Sequence, residues 1–238
     1  GQYSAEENLV SLDSPASVTA VAVGGGAAIN ASRNFLDLKG TVHGYLLAGA
    51  GACNENDYFK AGSSTVTGNV VNLAGAKLVP IKLDDPLIKD YKPYVVLLKK
   101  SGESIHVGGG ALLVGGKAKD NTVNLSGTMD LSQANLYGWI TGPELLENPS
   151  ELDKLLEQNL DTTVDHSGNT LNVGYTAEMT TDKAGNSSIT GKAADWHGSK
   201  VQGIYNFDKI AFYNVDHSQP ALTVTDTVSL PDNVKLDL

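Results

Sequence analysis

Three Asp–His arrangements are the places where this chain could do chemistry: Asp165-His166, Asp195-Trp196-His197 and Asp216-His217. A histidine beside a carboxylate can hold a metal or act as a general acid–base pair. Neighbours in sequence point to opposite faces of a strand, however, so an adjacent Asp–His pair makes no site by itself. Only Asp195 and His197 can share a face, and no third ligand stands at a matching spacing. Asp84-Asp85, Glu55-Asn56-Asp57 and Asp161 offer the oxygen ligands that calcium prefers, but none follows a defined calcium loop. Solvated turns account for them. Cys53 has no histidine at a set spacing, and the acidic Glu55 nearby disfavours a thiolate. No catalytic, cofactor-binding or metal-binding set is assigned, and no cofactor is expected.

Glycine triplets at 24–26 and 108–110 invite a nucleotide-loop reading. Neither has the dinucleotide spacing, and neither ends in the Gly-Lys-Ser/Thr of a P-loop. Tight corners where backbones approach closely explain them better. The aromatics Tyr45, Tyr58, Phe59, Tyr137, Trp139, Trp196, Tyr205, Phe207, Phe212 and Tyr213 could stack on sugars. Most lie inside apolar strand patterns and read as core or stacked columns. Trp139 and Trp196, next to glycines and turn residues, are the better surface candidates.

The elements that would position these residues are short strands. Val, Leu and Ala dominate in brief apolar runs, Gly numbers 26, and aromatics are only 6% of 238 residues, a composition suited to many strands closed by tight turns. A formal charge of −10 disfavours nucleic acid and anionic membrane surfaces. Arg33 is the single arginine, which excludes an anion clamp of several guanidiniums. One cysteine permits no internal disulfide and no four-cysteine zinc site, as suits a cytosolic protein or a bacterial surface protein that crosses the periplasm unfolded. No apolar run reaches the roughly 18 residues of a membrane span, so no membrane insertion is expected. The polar start carries no signal peptide. Gly1 reads as a processing scar, and the chain as a piece of a longer protein.

Two stretches say nearly the same thing. Val23 and Val107 each precede Gly-Gly-Gly-Ala, and each is followed by an Asn-led strand motif starting at Asn34 or Asn121. The shorter motif recurs as Asn34-Phe-Leu-Asp-Leu-Lys-Gly40, Asn69-Val-Val-Asn-Leu-Ala-Gly75, Asn121-Thr-Val-Asn-Leu-Ser-Gly127 and Asn169-Thr-Leu-Asn-Val-Gly174. Each copy alternates apolar and polar side chains with period two, and Gly or Asn supplies the turn. Repeats of this kind stack, because one unit cannot bury its apolar face alone. Leu36, Leu38, Val71, Leu73, Val123, Leu125, Leu171 and Val173 are the expected strand residues facing a core. Asn72, Asn124 and Asn172, mid-strand, either stack into a ladder or face solvent.

Insertions interrupt the repeat. Pro80 through Pro93 reads as a loop, followed by an edge strand at Tyr94-Val-Val-Leu-Leu98. A helix is expected at 149–160: Asn148 caps it, Pro149 takes the first position, Glu151 completes a capping box, and Leu152, Leu155, Leu156 and Leu160 form one stripe. Its docking on the β-scaffold is favoured over a free partner-binding helix. With no linker of Pro or Ser, residues 1–238 read as one elongated domain, with insertions at about 80–100 and 143–160.

The succession Gly108-Gly-Gly-Ala-Leu-Leu-Val-Gly-Gly116, Asn121-Thr-Val-Asn-Leu-Ser-Gly127 and Asn135-Leu-Tyr-Gly138 resembles passenger-region repeats of bacterial autotransporter adhesins. The stretch Trp196-His-Gly followed by Ile204-Tyr-Asn-Phe-Asp-Lys-Ile-Ala-Phe212 resembles a segment that often follows them. The resemblance covers most of residues 20–225 and is one of repeat style. It implies a right-handed parallel β-helix, secretion to the outer-membrane surface of a Gram-negative bacterium, and adhesion to a host, bacterial or matrix protein or glycan. The chain departs from the pattern in its insertions and its leucine-rich helix. The expected fold is therefore all-β, a right-handed parallel β-helix with one short inserted helix, or alternatively a β-sandwich. The expected function is a non-enzymatic adhesin passenger fragment. A carbohydrate-active enzyme (polysaccharide lyase or glycoside hydrolase) and a passive stalk are the rivals, and a groove with clustered carboxylates would mark the enzyme.

Overall fold

The computed structural model describes residues 4–52, 64–86, 88, 98–148, 162–198, 200–216 and 218–238. The protein is all-β and its sheets are parallel. The chain lays down strands in passes. The first holds β1 (Ser4–Glu6), β2 (Leu9–Leu12), β3 (Ser17–Gly24) and β4 (Ala27–Ala28). The second holds β5 (Asn30–Ser32), β6 (Phe35–Leu38), β7 (Thr41–Ala48) and β8 (Gly51–Ala52). The third comprises β9 (Thr65–Thr67), β10 (Val70–Ala74), β11 (Lys77–Pro80) and β12 (Ile105–Leu112), and the fourth β13 (Gly116–Lys119), β14 (Thr122–Ser126) and β15 (Leu131–Thr141). The fifth has β16 (Val164–Ser167), β17 (Thr170–Val173), a hairpin of β18 (Tyr175–Thr181) and β19 (Ser187–Ala193), and β20 (Lys200–Tyr205). The chain then forms β21 (Lys209–Phe212), β22 (Thr223–Ser229) and β23 (Lys235–Asp237).

Each of the first five passes adds to all three sheets, and in the first three the share of the third sheet falls in two strands, β3 and β4, β7 and β8, and β11 and β12. The first sheet runs β1-β5-β9-β13-β16, and the second β2-β6-β10-β14-β17-β21-β23. The third joins β3, β7, β12, β15, β20 and β22, with β11 beside β7. Every ladder in them is parallel; among the described residues, antiparallel pairing is confined to the β18–β19 hairpin and a bridge between Leu98 and Leu146. A sandwich of antiparallel hairpins does not describe this chain. The long echo is now explained: Val23 and Val107 both pair with Leu47, so the two stretches are two passes apart.

Side chains of the second sheet alternate between two faces, both of them buried through most of its length. Leu36, Val71, Val123, Leu171 and Ile210 stand in register, as do Leu38, Leu73, Leu125 and Val173, and all belong to one core. The opposite face of the second sheet is covered as well. Phe35 and Val70 pack there against Ala177, Met179 and Ile189 of the hairpin. Asn72 donates to Asp37 at 2.7 Å and Asn172 to Asn124 at 2.8 Å, while the Ala177 N–H donates to Asn72 Oδ1. The mid-strand asparagines therefore form buried ladders under an inserted hairpin that the sequence pattern did not reveal.

The asparagines that lead each motif do more than turn the chain. Asn8, Asn34, Asn69, Asn121 and Asn169 form a column, each Nδ2 donating to Oδ1 of the next at 2.7–3.0 Å, and Asn169 donating to Asp208 Oδ2 at 2.8 Å. Asn34, Asn69, Asn121 and Asn169 also give their second Nδ2 proton to a carbonyl one pass below: Ala5, Ala31, Val66 and Ala118. All four are fully buried. Beside them runs a column of corners at Gly25, Gly49, Gly109 and Gly138, each aimed at the carbonyl oxygen of the next, with Asn206 following Gly138.

The third sheet carries an outer column of rings. Tyr45 and His106 have centroids 4.8 Å apart, His106 and Tyr137 5.7 Å, and Tyr137 and Tyr205 4.6 Å. His106 is fully buried. Its Nε2–H donates to the Lys99 carbonyl at 3.3 Å, so Nδ1 accepts from the Tyr137 hydroxyl at 3.1 Å, which is a neutral imidazole. Burial pushes its pKa down to about 4; the Lys99 hydrogen bond opposes this, and the Lys99 and Lys100 charges add to it. Between about pH 6.5 and 4 the unfolded chain then binds more protons than the folded one. Stability is complete above that window and falls as the pH drops through it, by on the order of 3 kcal/mol in all. Chemical denaturation across pH 4–7 should show this slope, and His106→Phe, which keeps a ring in the column, should flatten it.

The helix expected at 149–160, with its leucine stripe, lies outside the described residues. So do Tyr94–Leu97 of the expected edge strand, although Leu98 is described. Pro143–Leu145 form a 3-10 turn, and no α-helix occurs among the described residues.

Candidate functional site

The two internal columns meet at their upper end. In the first sheet, Ala31, Val66, Ala118 and His166 stand in register, so His166 takes a position that earlier passes give to small apolar side chains. In the asparagine column the corresponding end is Asp208. His166 Nδ1 lies 2.7 Å from Asp208 Oδ1, and Asp208 Oδ2 accepts from the Asn169 N–H at 2.9 Å. Both groups are partly open, with His166 33% and Asp208 17% exposed at the side chain. The His166 ring stacks on Trp139 at 4.2 Å and 23°.

Glu144 closes the other side. Its Oε2 accepts from the Thr141 N–H at 2.6 Å and hydroxyl at 3.0 Å, and its Oε1 from Asn206 Nδ2 at 2.7 Å. Asn206 Nδ2 also donates to the Trp139 carbonyl at 3.0 Å. A hollow of about 610 Å³ opens above Trp139, Thr141, Glu144, Val164 and His166, and a second of about 450 Å³ lies beyond His166 toward Thr170, Lys209 and Lys235.

Asp208 orients the imidazole and leaves Nε2 without a hydrogen bond among the described residues, the posture of a general base or a hydrogen-bonding contact. No hydroxyl or thiol of the described residues hydrogen-bonds to His166, and Glu144 is already engaged by three donors. Among the described residues no group of three or more His, Cys, Asp or Glu converges on one point.

The sequence pairs fare differently. Asp165 and His166 do point apart: Asp165 faces outward to Lys119 Nζ at 3.0 Å, while His166 finds its carboxylate 42 residues later. Asp195 accepts from Asn214 Nδ2 at 3.0 Å, and no bond joins it to His197. Asp216 accepts from the Ser218 N–H at 2.8 Å, and His217 lies outside the described residues. Asp84 is exposed in a turn after β11, with Asp85 partly so. Cys53, Glu55, Asn56, Asp57, Tyr58, Phe59 and Asp161 lie outside the described residues. Trp139 and Trp196 are corrected: they are 7% and 8% exposed, Trp196 sits in the main core with its indole N–H on the Ala221 carbonyl, and Trp139 is covered by His166. Gly138 beside Trp139 serves corner packing and Gly198 leaves room for the Trp196 indole, so neither lifts a ring to the surface. Asp208, Glu144 and Asn206 were missed. The one available signal was that Asp208 replaces asparagine at the head of a strand motif, Asp208-Lys-Ile-Ala-Phe212.

Comparison with family models, curated proteins and solved structures gives no match.

Proposed function

We propose that this chain is a right-handed parallel β-helix from the passenger of a secreted or surface-displayed adhesin, and that it binds a protein or glycan partner without turning it over. The observation that carries the reading is the register: successive passes extend the same three parallel sheets, with asparagines stacked on asparagines between passes. Such a scaffold offers long faces and places insertions at its flanks. The segments at about 80–100 and 143–160, and the hairpin over the second sheet, interrupt it where a stalk would need nothing. The formal charge of −10 argues against nucleic acid as the partner, and no helix among the described residues is long and apolar enough to cross a membrane.

A glycan and matrix-protein binding screen tests this, comparing the intact chain with versions lacking 81–103, 144–160 or the 175–193 hairpin. Binding that disappears with one deletion is the expected result. Binding that survives all three would move the contact surface to the regular strands, and no binding at all would leave the stalk. The enzyme reading rests on one observation, the His166–Asp208 pair beside a hollow. Measurable turnover of any polysaccharide, lost in His166→Gln, would favour it over adhesion.

A further inference from the structure

The first sheet stops before its neighbours do. Beyond the pass that holds β16, the second sheet continues with β21 and β23, and the third with β22. The cause is a short cut: from β20 the chain passes through Asn206, Phe207 and Asp208 straight into β21, omitting the first-sheet strand of that pass. β16 is therefore an edge set inside the molecule, between walls that rise past it.

Its backbone groups can be assigned by parity. The Gly116 N–H donates to the Thr163 carbonyl at 3.0 Å and the Asp120 N–H to the Ser167 carbonyl at 2.9 Å, so Thr163, Asp165 and Ser167 face β13. The N–H and C=O of Val164 and His166 consequently face away, and among the described residues no hydrogen bond engages them. The adjoining cut edge, at the end of β15, is closed instead: Glu144 takes the Thr141 N–H, and Asn206 caps the Trp139 carbonyl. Exposed edges are normally blocked in this way, because unpaired strand groups recruit another strand. Among the described residues, the β16 edge is left open.

The two hollows flank this edge and meet at His166. They differ in charge. Glu144 and Glu147 stand at the Val164 end, with Lys99, and Lys209 and Lys235 stand at the Thr170 end, with Asp208. Lys209 is paired with Asp237 at 2.8 Å, whereas Lys235 has no ion pair among the described residues. We propose that the open edge of β16 is a strand-addition site for an extended peptide of a protein partner, laid parallel to β16, with basic residues at its start and acidic residues at its end. Main-chain bonds to Val164 and His166 hold such a strand, and the charged ends set its direction. This goes beyond the adhesion reading and is independent of it, since only the edge is required.

The probe is the peptide Lys-Lys-Thr-Val-Thr-Val-Thr-Asp-Asp, compared with its charge-reversed counterpart Asp-Asp-Thr-Val-Thr-Val-Thr-Lys-Lys. Calorimetry on the full chain should show saturable binding of the first, with slowed amide exchange at Val164 and His166. Val164→Pro removes an N–H that the β13 ladder does not use, and should weaken binding at least about tenfold. Lys235→Glu should weaken the first peptide and strengthen the reversed one, which keeps the test decisive if the proline variant fails to fold. No saturable binding up to about 1 mM, or binding indifferent to both substitutions, would overturn the proposal. A concentration-dependent dimer abolished by Val164→Pro would overturn it too, giving the edge to a second copy of this chain.

Discussion

Gly138→Ala is expected to cost about 3 kcal/mol or more, or to prevent folding, while Gly51→Ala is neutral or slightly stabilising. A Cβ on Gly138 would be driven into the Asn206 carbonyl oxygen, a backbone atom that no rotamer change can move, and would sit 3.0 Å from the Asn169 Cβ. Both contacts belong to columns repeated through the stack, so relief at one pass disturbs the next. A Cβ on Gly51 meets nothing within 4 Å. Thermal or urea denaturation of the two variants checks the contrast, and equal stability would mean that the corners are not packed as described.

The second large effect depends on position in the asparagine column. Asn121 accepts from the Asn69 N–H at 3.2 Å and Nδ2 at 3.0 Å, and donates to the Val66 carbonyl and to Asn169 Oδ1, each at 3.0 Å. A carboxylate there can still accept but cannot donate, which strands the Val66 carbonyl, sets a carboxylate oxygen against Asn169 Oδ1 (left with only the Asn121 N–H at 3.3 Å), and buries a charge without a cation. Each stranded group costs about 1–3 kcal/mol, so Asn121→Asp should lose about 4 kcal/mol or more. Asp208 ends the same column, where one oxygen accepts from Asn169 and the other meets His166 Nδ1, and an asparagine can serve both, its Nδ2 donating to the other tautomer of His166. Asp208→Asn should therefore cost less than about 1.5 kcal/mol. Denaturant midpoints of the two single variants would expose the asymmetry, and similar losses would contradict the direction of the column.

The strand motifs, their inward apolar residues and their stacking in the same direction were all readable, because period-two alternation and a repeated motif are local signals. The roles of asparagine were not. Asn34, Asn69, Asn121 and Asn169 read as turn residues, yet their side chains are buried and bonded from pass to pass. A lone Asn before a strand has the same local preference whether it faces water or a copy of itself. The Gly109 and Gly138 corners were legible as close approaches, though not what they approach.

What the sequence determined by itself is the all-β class, the parallel repeat and the divergence of neighbouring side chains such as Asp165 and His166. Alternation sends adjacent side chains to opposite faces wherever the strand lies. Only the tertiary structure decided that His166 meets Asp208, that the 175–193 segment folds over the second sheet, and that the first sheet ends early. Each of these depends on how many residues the chain spends between passes. Spacing in sequence does not reveal that, because a long excursion and a short cut can return to the same register.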